Sequence, residues 1–325
     1  MPIKLIAAVV IGRNEGQRLV TCLKSLIGKV DHIVYVDSGS SDTSIHEASI
    51  LGVDTLSLDM SMPFTAARAR NAGAKYLLTK YTGLNYLQFI DGDCEMQPEW
   101  IDNAYRFLED HKNYAVVCGR RRERFPEHSI FNHWCDIEWN TAIGDALACG
   151  GDALIRRESF QQCNGYREDV IAGEEPEMCF RFRQNGWKIR RLDVEMTLHD
   201  AAITKFSQWF KRTMRSGYAF TLGYSIHGQS KERYWAKECR SIALWGVLAP
   251  GIFLLGMLFN PLFCLMLVLY PIQIIRVFSR ATTLNMSGFL WASGIVLGKV
   301  PEAIGQIKCL TDKVNKKTSI IIEYK

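Results

Sequence analysis

The chain has 325 residues, 48% of them apolar and 22% charged, with a formal net charge of +5; that suffices for one large or two modest domains and excludes a disordered chain. Ten cysteines occur without any Cys-x-x-Cys spacing and no cleavable leader pattern precedes "MPIKLIAAVV", so reduced thiols in a cytoplasmic compartment are expected rather than a disulfide framework. Residues 1–200 hold 23 Lys and Arg against 29 Asp and Glu, whereas 201–325 hold 16 against 5; the strongly basic half also contains the apolar runs, which suits the inner face of a membrane better than nucleic acid.

In chain order, "KLIAAVVIG" and "VDHIVYVDSGSSD" are short β-branched runs followed by polar turns and then helix-like segments, the rhythm of parallel β-α-β units. Leu19, Cys22, Leu23 and Leu26 fall at helical spacing after the first run, and Ser41 or Asp42 offers an N-cap after the second, with Gly52 as a stop. "ARARNAGAKYLLTKY" predicts a third helix leading into a strand, "YLQFIDGD". "YAVVCGRRRERF" predicts a strand followed by a basic segment, and "CGGDALIRRESF" a strand entered through a glycine turn. "EPEMCFRFRQNGWKIRRLD" predicts a helix ended by Gly186 and then another strand.

The character changes at Ile242. The run to Phe278 has no charge before Arg276 and is divided at Asn260 and Pro261, giving about twice the ~18–20 apolar residues that one bilayer crossing needs. Arg233, Lys237 and Arg240 precede it, and Arg276 and Arg280 follow it, so both ends of a hairpin are expected on the cytoplasmic side. Pro250 and Pro271 leave a re-entrant or in-plane pair open beside a spanning one, and a buried core hairpin is the soluble alternative. "GFLWASGIVLG" is too short to span and, with the basic tail "KVNKKTSIIIEYK", reads as interfacial. The expected organisation is a catalytic domain over 1–200, a basic helical linker over 201–240, the hairpin over 241–280 and an interfacial segment with its tail over 281–325.

The chemistry concentrates at "FIDGD". Asp91 and Asp93, separated only by Gly92, stand past the carboxyl end of a strand, where open α/β sheets bind ligands. Two carboxylates that close repel, and a hard cation that keeps positions free for phosphate oxygens compensates them. The bland alternative is a turn capped by both.

The order "GRNEG", "VDSGSSDT", "ARARNAGA", "FIDGD", "CGGDALIRR", "GEEPEMCFRFRQNGW" resembles family 2 glycosyltransferases of the A-type fold from residue 5 to about 200. The resemblance implies an α/β nucleotide-sugar-binding domain with a mostly parallel central sheet, followed here by a C-terminal helical, membrane-associated region. It implies that Asn14, Glu15 and Asp37 hold the nucleoside, that Arg70 and Asn71 lie near the nucleotide, and that Asp91 and Asp93 bind nucleotide and metal. Gly151 and Asp152 would help form the donor-sugar pocket. Glu175 stands where the family's catalytic base is usually an aspartate, which leaves the base open between Glu174 and Glu175; an acidic first helical turn complementing the dipole is the structural alternative. His199 would complete the metal sphere. Arg212 and Arg215 lie in "QWFKRTMRSGYAF", a partial likeness to a Gln-x-x-Arg-Trp segment of polysaccharide synthases, and could clamp diphosphate or lipid headgroups.

The expected activity is an inverting, Mg²⁺- or Mn²⁺-dependent transfer from a UDP- or GDP-sugar to a lipid-linked or nascent glycan hydroxyl, at the cytoplasmic face of a bacterial inner membrane. Export is expected to fall to separate machinery. The basic "GRRRERF" is assigned to acceptor phosphate or an acidic sugar, and no nucleic-acid partner is expected. A nucleotidyltransferase forming nucleotide-sugars, and an inactive membrane scaffold of the same fold, are the alternatives.

Overall fold

A computed structural model describes residues 5–281 and 284–315. The chain divides into two units, 1–202 and 203–325. The first is a sheet of nine strands among the described residues: β1 (Ile6–Gly12), β2 (His32–Asp37), β3 (Asp54–Ser57), β4 (Tyr86–Asp91), β5 (Cys94–Met96), β6 (Tyr114–Glu123), β7 (Gly144–Asp145), β8 (Ala153–Arg156) and β9 (Lys188–His199). The order is β3-β2-β1-β4-β8-β6-β9-β5, with β7 on β9.

β1 lies between β2 and β4, parallel to both, and Ile6 through Val10 are wholly buried. A strand covered on both faces reads as a continuous apolar run, which is why "IAAVVIG" lacks alternation. β3 extends this parallel half. Beyond β4 the sheet is mixed: β8 runs antiparallel to β4 and β6, β6 parallel to β9, and β5 and β7 antiparallel to β9. The four-residue edge strand β3 was not expected from the sequence.

Around the sheet lie α1 (Gln17–Leu26), α2 (Ser44–Ile50), α3 (Ala66–Lys80), α4 (Trp100–Asp110), α5 (Ile130–Trp139), α6 (Arg157–Gln162) and α7 (Glu174–Gln184). Leu19, Cys22, Leu23 and Leu26 of α1 are all buried, as their helical spacing requires. The N-cap of α2 is Thr43; Asp42, one of the two expected caps, instead accepts from the Ser44 and Gly16 N–H groups.

β6 continues through the "GRRRE" stretch expected to follow it. Its arginines are neutralised within the unit: Arg120 by Asp136 at 3.0 Å, Arg122 by Glu195 on β9 at 2.6 Å. Just past the strand, Arg124 meets Glu95 on β5 at 2.5 Å. This basic run therefore stitches strands together and is not a free phosphate-binding surface.

The second unit is helical: α8 (Phe206–His227), α9 (Ala236–Ile242), a π-helical stretch (Ala243–Leu248), α10 (Ala249–Met257), a 3-10 stretch (Pro261–Val268), α11 (Leu269–Phe278), α12 (Met286–Leu297) and α13 (Lys299–Val314). α13 packs on α8 with backbones almost touching. A Cβ on Gly305 would lie 1.9 Å from the Met214 carbonyl oxygen, and one on Gly217 2.0 Å from that of Glu302, so only glycine fits either position.

Ala236–Met257 and Pro261–Phe278 are long and apolar enough to cross a membrane. The bend between them exposes Leu258 by 79% and Phe259 by 87%, which is unlike a buried core hairpin. α12 matches the short apolar segment and α13 was not foreseen. Residues 316–325 of the basic tail lie outside the described residues.

Candidate active site

The carboxyl ends of β1, β2 and β4 line up because these strands are parallel and in register, Ile11 opposite Asp91 and Gly12 opposite Asp37. The chain then turns at Gly92, and β5 pairs with the end of β9, setting Cys94 opposite His199. Two sequence-distant motifs meet here: His199 Nε2 is 3.3 Å from Asp93 Oδ2, and both residues are buried.

Beside this pair lies a charge cluster built on Arg70. Its guanidinium, only 2% exposed, reaches Asp91, Glu174 and Glu175, each at 2.9 Å. Burying a guanidinium is costly unless it is paired and hydrogen-bonded, and three carboxylates from β4 and the start of α7 meet that need. Arg121 on β6 adds a second cation, 3.2 Å from the other Asp91 oxygen and 3.5 Å from Asp152, and lies over the Trp139 ring.

Asp91 thus has both oxygens on arginines, which hold its carboxyl below the usual range against the opposing effect of burial. It organises the cluster, and its carboxylate also stands with Cys94 and Asp152 in a group of ligand-type atoms close enough to share a metal ion. Asp152 is fully buried. It accepts from the Asp91 N–H at 3.2 Å and the Thr197 hydroxyl at 2.7 Å, so it props the cluster from beneath. Gly151 is needed for the packing, since a Cβ there would sit 2.4 Å from Arg70 Nη2.

Glu175 differs from its neighbour. Burial, then the adjacent Glu174, pushes its carboxyl up to about 7, only partly opposed by Arg70. Its side chain retains 15% exposure against 4% for Glu174. Glu177 is wholly enclosed and is bound by Arg181 one turn on. Of the three acids that open α7, Glu175 combines access with a carboxyl that exchanges a proton near neutrality.

The other expected residues of the first unit are engaged in local hydrogen bonds and ion pairs. Asp37 accepts from the Gly39 and Ser40 N–H groups and the Tyr35 hydroxyl, closing the turn after β2. Asn14, at φ 56, accepts from the Ser41 N–H, and Glu15 pairs with Arg18 at 2.8 Å. Asn71 donates to the Tyr166 carbonyl and Glu168 and accepts from the Tyr166 N–H, pinning the loop ahead of α7. Arg212 and Arg215 lie on α8, in the second unit.

The donor set at Asp93 and His199 fits a hard divalent cation. A carboxylate oxygen and an imidazole nitrogen suit Mn²⁺-like ions, and neighbouring ligands on an octahedral ion with bonds of about 2.1 Å stand about 3 Å apart. Cys94 completes a possible trio, yet burial pushes its thiol well up. His199 Nδ1 is buried without a hydrogen-bond partner, 3.8 Å from Glu123 Oε2, and the ring meets Trp139 edge-on. Arg121, Glu123 and Trp139 were missed as site residues. The alternation of a strand would have found the first two, because Arg121 and Glu123 are two apart and so point to one face.

Residues 8–163 match the family model described as Glycosyl transferase family 2. O-antigen chain rhamnosyltransferase RfbN of Salmonella typhimurium is 24% identical over 199 residues, covering 55% of this chain and 61% of that protein, so the chain spans less than two thirds of this relative. Among solved structures, mannosyltransferase PcManGT from Pyrobaculum calidifontis, in complex with GDP-Man and Mn²⁺, matches with a TM-score of 0.59 and 15% identity over 95% of this chain and 87% of that one. Glucosyl-3-phosphoglycerate synthase from Mycobacterium tuberculosis matches with a TM-score of 0.48 and 16% identity over 70% and 81%.

Proposed function

With residues 8–163 the chain belongs to glycosyl transferase family 2, and from that premise we propose that it transfers a sugar from a nucleotide-sugar to a hydroxyl acceptor with inversion, by single displacement. The observation that carries this reading is the pair of acidic centres joined through Arg70: Asp91 and its neighbour Asp93 on one side, Glu175 on the other.

Glu175 is the proposed base. A carboxyl titrating at about 7 is matched to taking a proton from a hydroxyl at neutral pH. Its Oε1 is held by Arg70, which fixes its direction. Glu174 shares Arg70 and raises the Glu175 carboxyl through its own negative charge. Asp93 and His199 would hold Mg²⁺ or Mn²⁺, which when bound supplies positive charge against the departing nucleoside diphosphate. Arg70 and Arg121 keep Asp91 ionised and fixed, so the turn that carries Asp93 is held rigidly. No covalent sugar-enzyme species is needed.

The donor class is a UDP- or GDP-sugar; the GDP-Man and Mn²⁺ of the Pyrobaculum structure support such a donor with such a metal. The O-antigen role in the name of the Salmonella relative supports a lipid-linked or growing surface glycan as acceptor, with export left to other machinery. The two long apolar helices, bordered by Arg233, Lys237, Arg240, Arg276 and Arg280, support residence at the cytoplasmic face of the membrane.

A panel of nucleotide-sugars, each with and without Mn²⁺, tests the proposal by release of nucleoside diphosphate. Metal-dependent release with one donor class is expected, with inverted anomeric configuration in the product. Retained configuration contradicts the single displacement, and diphosphate release from a nucleoside triphosphate and a sugar phosphate would instead favour nucleotidyl transfer.

A further inference from the structure

We propose that the second unit holds its own binding site for a lipid phosphate, in the cavity between the end of α8 and α9. The proposal rests on the reading of the apolar helices as membrane-associated. The cavity, ≈ 460 Å³, is lined by Tyr224, Gln229, Ser230, Arg233, Arg240 and Ala243, among others.

Three observations point to the ligand. Arg233 and Arg240 face one cavity, and neither has an acidic partner among the described residues, whereas Arg120, Arg122 and Arg124 of the first unit are all paired. Arg240 gives Nε to the Ala236 carbonyl, and its terminal nitrogens have no partner among the described residues. Two guanidinium groups around one concavity repel until an anion sits between them, and phosphate is the anion their planar forks fit. The Ser230 hydroxyl is buried at the same wall without a hydrogen-bond partner, and an unsatisfied buried hydroxyl is costly until a ligand oxygen meets it.

The third observation selects a lipid. Ala236, Arg240 and Ala243 lie at helical spacing along the cavity, and the same chain runs directly into the apolar helix, where Leu244, Val247, Leu248 and Ile252 are each at least 40% exposed. An arginine-bearing hollow is thus followed directly along the chain by uncharged, exposed apolar residues, the arrangement that takes the head of an amphiphile at one end and its hydrocarbon at the other.

The full chain in uncharged detergent is titrated with farnesyl phosphate, farnesol and inorganic phosphate. Farnesyl phosphate is expected to bind, and Arg233→Ala/Arg240→Ala to weaken it roughly tenfold or more. Farnesol and inorganic phosphate are each expected to bind at least roughly tenfold more weakly, since each lacks one half of the recognition. Arg276→Ala/Arg280→Ala removes the same charge outside the cavity and is expected to leave affinity unchanged; both pairs of arginines are exposed, so melting temperatures should stay close to that of the parent. Displacement by phosphatidylglycerol would identify the source as bulk lipid, and resistance to it a prenyl phosphate; either outcome supports a lipid phosphate site. Unchanged affinity in the Arg233/Arg240 variant, equal loss in the Arg276/Arg280 variant, or equal binding of farnesol or of inorganic phosphate overturns it. Flotation on phosphatidylcholine vesicles reads the apolar helices separately: failure of both parent and variant to float strikes the membrane reading, while failure in detergent strikes the site.

Discussion

Arg70 Nη1 lies 2.9 Å from Glu175 Oε1, joining the helix that follows the second β-α unit to the first turn of α7. The same guanidinium holds Asp91 and Glu174, so one cation fixes the position of the proposed base, while burial and Glu174 raise its carboxyl against that cation's pull.

Glu175→Gln is expected to lower kcat roughly 10²–10⁴-fold, the usual loss with a general base. The parent's kcat/KM should rise with pH and level off above about 7, the value to which the Glu175 carboxyl is pushed. Glu174→Gln removes a neighbouring negative charge, so its profile should shift to lower pH with activity retained. Steady-state kinetics from pH 5.5 to 8.5 check both; a full-rate Glu175→Gln variant contradicts the assignment.

The same shift makes a stability prediction whose sign is opposite to that of an ordinary salt-bridged carboxylate. The Glu175 carboxyl is raised from 4.5 to about 7, so its protonated form favours the folded state below pH 4.5, and that contribution is lost as pH rises through 7. Glutamine cannot ionise. The stability of Glu175→Gln relative to the parent should therefore increase between pH 5 and 8, by on the order of 1–3 kcal/mol, as denaturant melts at the two pH values would read.

Removing Arg70 leaves three carboxylates without their shared cation. Arg70→Met is expected to cost about 3–5 kcal/mol of stability. Arg70→Lys should rescue little, because a point charge cannot serve three carboxylates as a fork does. Urea denaturation of both variants checks this, and a stable, active methionine variant contradicts it.

Gly151→Ala places a Cβ 2.4 Å from Arg70 Nη2. Overpacking of this kind costs about 1–3 kcal/mol, and the displaced guanidinium should also reduce kcat. Alanine at Gly144, where no atom lies within 4 Å of the added Cβ but φ is +125, should affect stability without affecting kcat.

Much of the first unit was legible because its signals are local. The apolar runs of β1, β2 and β4 and the helical spacing of α1 depend only on near neighbours, and the strand-end location of Asp91 and Asp93 follows from them. Arg70 was not legible as a hub: on a helix in isolation it is a solvated residue, and only the placing of β4 and α7 beside it buries it. The "GRRRERF" stretch failed for the same reason, since its acidic partners Asp136, Glu195 and Glu95 lie in other elements. Asp91 could not be told from Asp93 by spacing, because the difference between them is which arginine or histidine each one faces. α13 was obscured by a composition that mixes apolar and basic residues, and it is held to α8 by close glycine contacts that spacing does not announce.

The central claim is that Asp93 and His199 bind the divalent ion a nucleotide-sugar requires. It is tested most directly by measuring nucleoside diphosphate affinity as a function of Mn²⁺ in the parent, Asp93→Asn and His199→Ala proteins. The account predicts that Mn²⁺ tightens binding in the parent and that this gain falls roughly tenfold or more in either variant. Undiminished Mn²⁺-dependent affinity in Asp93→Asn would contradict it.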